Sequence, residues 1–220
     1  VTAAMICVLS VMNGFGVLVE QMFSQFDPDL RIIAAQGKSF TLDADTRWRL
    51  EQLPAVDLLS ESISETALVY FEEKQMPVLL MGVDSSFAAL TEIENTITDG
   101  HYEVYDGAFD RAVLGQGLAW QLGIGARFVN GIQVYAPRRN ARVNMLRPDA
   151  NFNSEVCFIA GTFAVNQQKY DDRMMLVDID LTRRLLDFDS TEMTVLNVEL
   201  SEEYSVRRAK EEIQLVLGDG

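Results

Sequence analysis

The chain has 220 residues, of which 48% are hydrophobic, enough to bury a sizeable core in one domain or two subdomains. Lysine and arginine number 18 against 33 aspartates and glutamates, a net charge of −15. That balance argues against general nucleic-acid binding, which needs a basic face, and against broad docking on anionic lipid.

From Val1 to Val19 no residue is charged. A helix over that stretch would be roughly 28 Å long, about the thickness of a bilayer's hydrocarbon core. Beyond it, Leu18, Met22, Phe23 and Phe26 keep helical spacing while the opposite face turns polar. The pattern predicts one helix over 1–26 that leaves a membrane and continues into water. Asp27-Pro28 ends it, because proline disfavours helix in the residue before it and has no N–H to donate. A buried core helix is the rival reading, since Asn13, Gly14 and Gly16 interrupt the apolar run. A signal peptide would need a basic leader and a small-residue cleavage pattern, which the stretch lacks. Read as a span, it makes the chain a piece of a longer membrane protein.

Leu30–Ile33 is a short strand signal. Asp43 or Asp45 is placed to cap a short helix through Trp48 and Leu53, closed by Pro54. Val56–Ser64 and Thr66–Glu73 both alternate and are expected to pair as a hairpin around Glu65. Lys74-Gln75 is expected to turn the chain into Met76–Val83, an apolar run that suits a strand buried on both faces. Asp84 or Ser85 caps a helix over 87–93. The polar stretch 94–110 reads as loop, and it holds the sole histidine, His101, which is expected at the surface.

Ala112–Leu114 is a strand, followed by Gly115-Gln116-Gly117 and a helix that ends at Gly123 and Gly125. A glycine-rich strand-to-helix turn invites a phosphate-binding reading. Without a third glycine, a lysine or a following acid, close packing of strand on helix explains it better. Asn130-Gly131 is a hairpin signal leading into the strand 131–136. Glu155–Val165 is a strand with Gly161 as a candidate bulge. Residues 166–173 read as a polar link, Met174–Val177 as a strand, and Asp178 and Asp180 as caps for a helix over 181–186. Thr194–Leu200 alternates as a strand. The last helix starts at Ser201 or Ser205 and places Val206, Ala209, Ile213, Val216 and Leu217 along one face.

One stretch inverts the charge of the chain. Pro137–Pro148 reads PRRNARVNMLRP, with Arg138, Arg139, Arg142 and Arg147 and no acid. Val143, Met145 and Leu146 add apolar reach. Strands precede and follow it, and an arginine rim with an apolar tip is the composition of a protein-docking loop. A mobile hairpin that merely offsets acid elsewhere is the other reading.

No constellation for catalysis emerges. There is no nucleophile with a base, no zinc spacing, and the acidic pairs Asp27/Asp29, Asp171/Asp172, Asp178/Asp180 and Asp187/Asp189 sit where aspartate caps turns and helices. Cys7 and Cys157 are expected to be free and inert. No catalytic, cofactor-binding or metal-binding residue is assigned, and no cofactor. The element order predicts α+β architecture with mixed sheets in two subdomains, one α/β and one mostly β, behind the long N-terminal helix. The expected division is 27–83 plus 165–220 for one subdomain and 84–164 for the other, within a core domain over 27–220.

Several segments together resemble the permease subunit of the lipoprotein-releasing ABC transporter, the LolC/LolE type, within the wider MacB/FtsX-like family of periplasmic core domains. They are LSVMNGF (9–15), FDPDLRI (26–32), LLMGVD (79–84), VLGQGLAWQLGI (113–124), VCFIAGTF (156–163) and DRMMLVDIDLTRRLL (172–186). The resemblance implies an inner-membrane permease with this domain in the periplasm. It implies a cytoplasmic ATPase subunit, a second permease copy or paralogue, a periplasmic lipoprotein carrier and lipoprotein cargo as partners. It makes Pro137–Pro148 a hook that recruits the carrier, through Pro137, Arg138, Arg139, Arg142, Val143, Met145, Leu146, Arg147 and Pro148. It makes Phe15, Leu18 and Met22 candidate contacts on the lipoprotein path. A MacB-like export permease and an FtsX-like force-transmitting regulator are the alternatives.

Overall fold

The computed structural model describes residues 28–126, 130–139 and 151–218. The leading stretch 1–26, with Cys7, Phe15, Leu18 and Met22, lies outside them. Among the described residues no helix is long and apolar enough to cross a membrane.

The chain opens with β1 (Leu30–Ile33), β2 (Phe40–Thr41) and α1 (Ala44–Glu51). The hairpin β3 (Val56–Phe71) and β4 (Lys74–Val83) follows, then α2 (Phe87–Thr91) and a turn of 3-10 helix. Next come β5 (Ile97–Gly100), β6 (Arg111–Gly115), α3 (Gln116–Leu122), β7 (Ile132–Pro137) and β8 (Phe152–Phe163). The chain closes with α4 (Gln168–Asp171), β9 (Met174–Asp178), α5 (Ile179–Leu186), β10 (Glu192–Met193), β11 (Val195–Leu200) and α6 (Val206–Leu217). The mixed α+β expectation matches this order.

The helix starts follow local chemistry. Asp43 accepts from the Thr46 N–H at 2.9 Å and Asp178 from the Asp180 N–H at 2.8 Å, so each satisfies a donor that the first turn leaves unpaired. Asp84 does the same for Ser86 and Phe87, both at 3.1 Å.

β3 is 16 residues long, about 50 Å of extended chain. Its first half pairs β11, from Val56↔Leu200 to Ser62↔Val195. Its second half pairs β4 on one edge and β7 on the other. The hairpin expected around Glu65 is therefore one continuous strand. Ser64-Glu65-Thr66 offers no glycine, asparagine or proline to turn on, and Glu65 pairs Leu80 in mid-ladder. The turn expected at Lys74-Gln75 falls two residues earlier: Lys74 already pairs Phe71, and Glu72 takes φ 52°.

Six strands close on themselves. β3 pairs β4 antiparallel, β4 pairs β9 parallel, β9 pairs β6 antiparallel, β6 pairs β8 parallel, β8 pairs β7 antiparallel, and β7 returns to β3. Closure leaves fewer open edges. Val69, Leu80, Met175, Leu114, Cys157 and Val134 belong to one fully buried cluster that also takes in side chains of α3 and α5. A second cluster forms where α2 and the 3-10 turn meet Val83, Val113, Leu176 and Phe163. The third joins β11, the first half of β3, α1 and α6 through Leu50, Leu59, Leu196, Val198, Ala209 and Ile213. The pairing of β9 with β6 and of β3 with β7 joins strands from either side of the expected limits at 83 and 164 in one sheet.

Two polar stretches are structured where the sequence suggests loop. Ile97–Gly100 pairs β8 as an edge strand, and Gln168–Asp171 is a short helix. Both draw their order from neighbours distant in sequence, which local pattern does not carry. The bulge expected at Gly161 is present: the register of β6 on β8 steps from Ile159 to Gly161. The close-packing reading of Gly115 and Gly117 also holds. A Cβ on Gly115 would lie 2.3 Å from the Asp171 carbonyl oxygen, and one on Gly117 would lie 2.0 Å from Asp172 Oδ1.

Candidate functional site

The arginine-rich loop leaves the ring between β7 and β8. These strands run in register from Ile132↔Cys157 to Pro137↔Phe152. One further bond closes the neck, from the Arg138 N–H to the Asn151 carbonyl at 2.9 Å. Pro137 has no N–H, and it sits opposite Phe152 at a position of the ladder where none is needed, since the bond is made by its neighbour Arg138. Of the sequence-assigned loop residues, Pro137, Arg138 and Arg139 are described. Arg142, Val143, Met145, Leu146, Arg147 and Pro148 lie outside the described residues.

Arg139 is held down. Its guanidinium pairs with Glu192 of β10, donates to Ser39 Oγ at 3.1 Å and lies 4.9 Å from the centroid of the Phe188 ring. Ser39 Oγ also donates to Glu192, whose second oxygen accepts from the Asp189 N–H at 3.3 Å. Glu192 is only 8% exposed. Burial pushes its carboxyl up, and the hydrogen bonds from Ser39 and Arg139 outweigh this and leave its pKa below the usual value. The partner strand β2 begins one residue after Ser39 and pairs β10, Met193↔Phe40. The loop base is thus fastened to the short β2–β10 ladder.

Arg138 differs. It is exposed, and among the described residues its guanidinium has no hydrogen-bond or ion-pair partner. It borders a cleft of about 330 Å³ walled by Lys38, Pro137, Arg139, Leu186 and Phe188. Lys38 Nζ sits 3.3 Å from Glu65 on the same rim. Sequence reasoning picked out Arg138 and Arg139 but not Ser39, Leu186, Phe188 or Glu192. Glu192 is 53 residues from Arg139 and no local motif joins them.

The remaining side chains singled out in the sequence have structural surroundings. His101 Nε2 lies 3.1 Å from Glu103 at the surface. Cys157 is fully buried and reduced, and burial pushes its thiol up to about 12. Asp29 accepts from the Leu200 N–H at 2.9 Å, and Asp171 accepts from Val165 and Gln167 N–H groups at 2.9 and 3.1 Å.

Residues 2–216 match the family described as the MacB-like periplasmic core domain. No curated protein matches the chain in sequence. Among solved structures, the extracellular domain of the noncanonic ABC-type transporter YknZ from Gram-positive bacteria superposes with a TM-score of 0.58 at 13% identity, covering 84% of this chain and 86% of that one. The periplasmic region of MacB from Actinobacillus actinomycetemcomitans gives 0.59 at 10% identity, covering 85% and 81%. At these identities the likeness is one of fold.

Proposed function

The chain belongs to the family of MacB-like periplasmic core domains, and on that premise we propose that it serves a permease that releases lipoproteins from the inner membrane. As part of a MacB-like ABC transporter permease, the domain works with an ATPase and in a membrane context. In this reading ATP is hydrolysed by a separate cytoplasmic subunit, and the domain itself catalyses nothing. A second permease copy or paralogue completes the transporter. The domain stands in the periplasm and hands the cargo to a soluble lipoprotein carrier. The observation that supports the lipoprotein branch is the loop between β7 and β8. Its neck is closed by Arg138 and Asn151, its base is anchored through Arg139, and its sequence is basic in an acidic chain. A base held this way is suited to presenting a docking element, because Arg138 and Arg139 need little ordering on binding.

The fold likeness to the periplasmic region of MacB favours a second reading, an export permease of that kind. An FtsX-like regulator of a periplasmic partner is a third. Depletion of the protein in its own cells separates them. Lipoprotein release predicts that outer-membrane lipoproteins accumulate in the inner membrane, and an unchanged distribution overturns it.

A further inference from the structure

We propose that the cleft at the base of the β7–β8 loop is a docking site for an acidic protein segment flanked by apolar side chains. The proposal deepens the reading of this loop as a partner-docking element and names the chemistry that the described part of it would recognise.

Charge selects the ligand. Lys38, Arg138 and Arg139 border the cleft against one acid, Glu65, in a chain of net charge −15. An acidic segment is repelled over most of the surface and attracted here. The three cations are not equivalent. Arg139 is taken by Glu192 and Lys38 lies against Glu65, which leaves the Arg138 guanidinium to receive a carboxylate. Guanidinium is suited to that role, since its planar fork matches a carboxylate through two parallel bonds.

The walls decide between a peptide and a small anion. Pro137, Leu186 and Phe188 give the cleft an apolar part, and Phe188 packs against the main core while Arg139 covers its ring. A phosphate-like ion would leave that part unused and would meet one unpaired cation. A carboxylate with a neighbouring leucine-like side chain uses both the apolar part and the cation. The volume, about 330 Å³, suits one or two side chains and not a folded domain. The Arg139 anchor fixes the wall, so Arg138 is presented from a base that does not need ordering.

The test titrates the 220-residue chain, in detergent micelles, into a labelled acetyl-Gly-Leu-Asp-Leu-Asp-Leu-Gly-amide peptide. Two control peptides carry Asn for Asp, or Ser for Leu. The acidic apolar peptide is expected to bind about tenfold more tightly than either control. Arg138→Glu is expected to abolish that preference, Arg138→Lys to keep part of it, and salt to weaken it. Equal affinity for the Asp and Asn peptides, or an unchanged preference in Arg138→Glu, overturns the site. Binding of the periplasmic lipoprotein carrier, measured on the same samples, keeps the two readings apart. Peptide bound without carrier upholds the cleft and counts against handover. Carrier bound equally by Arg138→Glu, where the peptide preference is lost, upholds the cleft and places the carrier contact outside it.

Discussion

The guanidinium of Arg139 lies 4.9 Å from the centre of the Phe188 ring while its other side pairs with the buried Glu192. With its hydrogen bond to Ser39, one side chain at the start of a basic loop therefore joins three segments of the chain: that around Ser39, its own, and 188–192. It follows that Arg139 supports the loop and that Arg138, one residue earlier, is left to meet a partner.

Arg139→Ala should destabilise the fold. It leaves the Glu192 carboxylate buried with only Ser39 and a backbone N–H, a loss of about 1–3 kcal/mol. Loss at the upper end typical of fully buried pairs is not expected, because the Arg139 side chain is 46% exposed and partly screened. Urea unfolding of the two proteins at pH 7 measures the difference. Arg139→Lys should recover part of the charge pairing and little of the stacking on Phe188.

The same carboxyl sets a pH dependence. Its pKa in the fold is lowered, so its contribution is fully present above its ordinary value of 4.5 and is lost as pH falls through the lower folded value. Wild-type stability should therefore drop more steeply below pH 4.5 than that of Glu192→Gln. Denaturant midpoints at pH 5, 4 and 3 read the two slopes, and parallel slopes would rule out this role for Glu192.

Asp84 should be a costly position. Its two oxygens accept from Ser60 Oγ, the Glu61 N–H, and the N–H groups of Ser86 and Phe87. Asp84→Ala orphans donors on both β3 and the start of α2, a loss of roughly 2–4 kcal/mol. Burial raises the Asp84 pKa despite these bonds, so ionisation works against folding there and Asp84→Asn should be milder than Asp84→Ala. Thermal unfolding of the three proteins gives the order.

Gly115 and Gly37 should respond differently to alanine. A Cβ at Gly115 meets the backbone of Asp171 and Tyr170 at 2.3 and 2.7 Å, so strand and helix must separate, at about 1–3 kcal/mol or more. Gly37 has φ +86° with nothing within 4 Å, and only the backbone preference, about 1 kcal/mol, is at stake. Equal losses in denaturant unfolding would refute close packing as the reason for the glycine-rich turn.

These positions also show how far the sequence could be read. The strand Leu30–Ile33, the helix behind Asp178 and the apolar strand at Met174 were legible because periodicity and capping are local. Glu65 misled because an acid between two alternating segments looks like a turn, whereas here it stays in a strand long enough to serve both β11 and β4. Ile97–Gly100 reads as loop because its partner lies on β8, more than 60 residues away. The loop's arginines stood out by composition alone. Their division of labour did not, since Ser39, Phe188 and Glu192 reach Arg139 only through the fold.

Carrier binding decides whether the β7–β8 loop is a docking element. The chain is titrated with the periplasmic lipoprotein carrier of the same organism, beside a variant that keeps Arg139 and carries glycine and serine at position 138 and over 140–147. The wild type is expected to bind, and the variant is expected to lose that binding. Binding by neither, or equally by both, would contradict the assignment of the β7–β8 loop as the docking element of a lipoprotein-releasing permease.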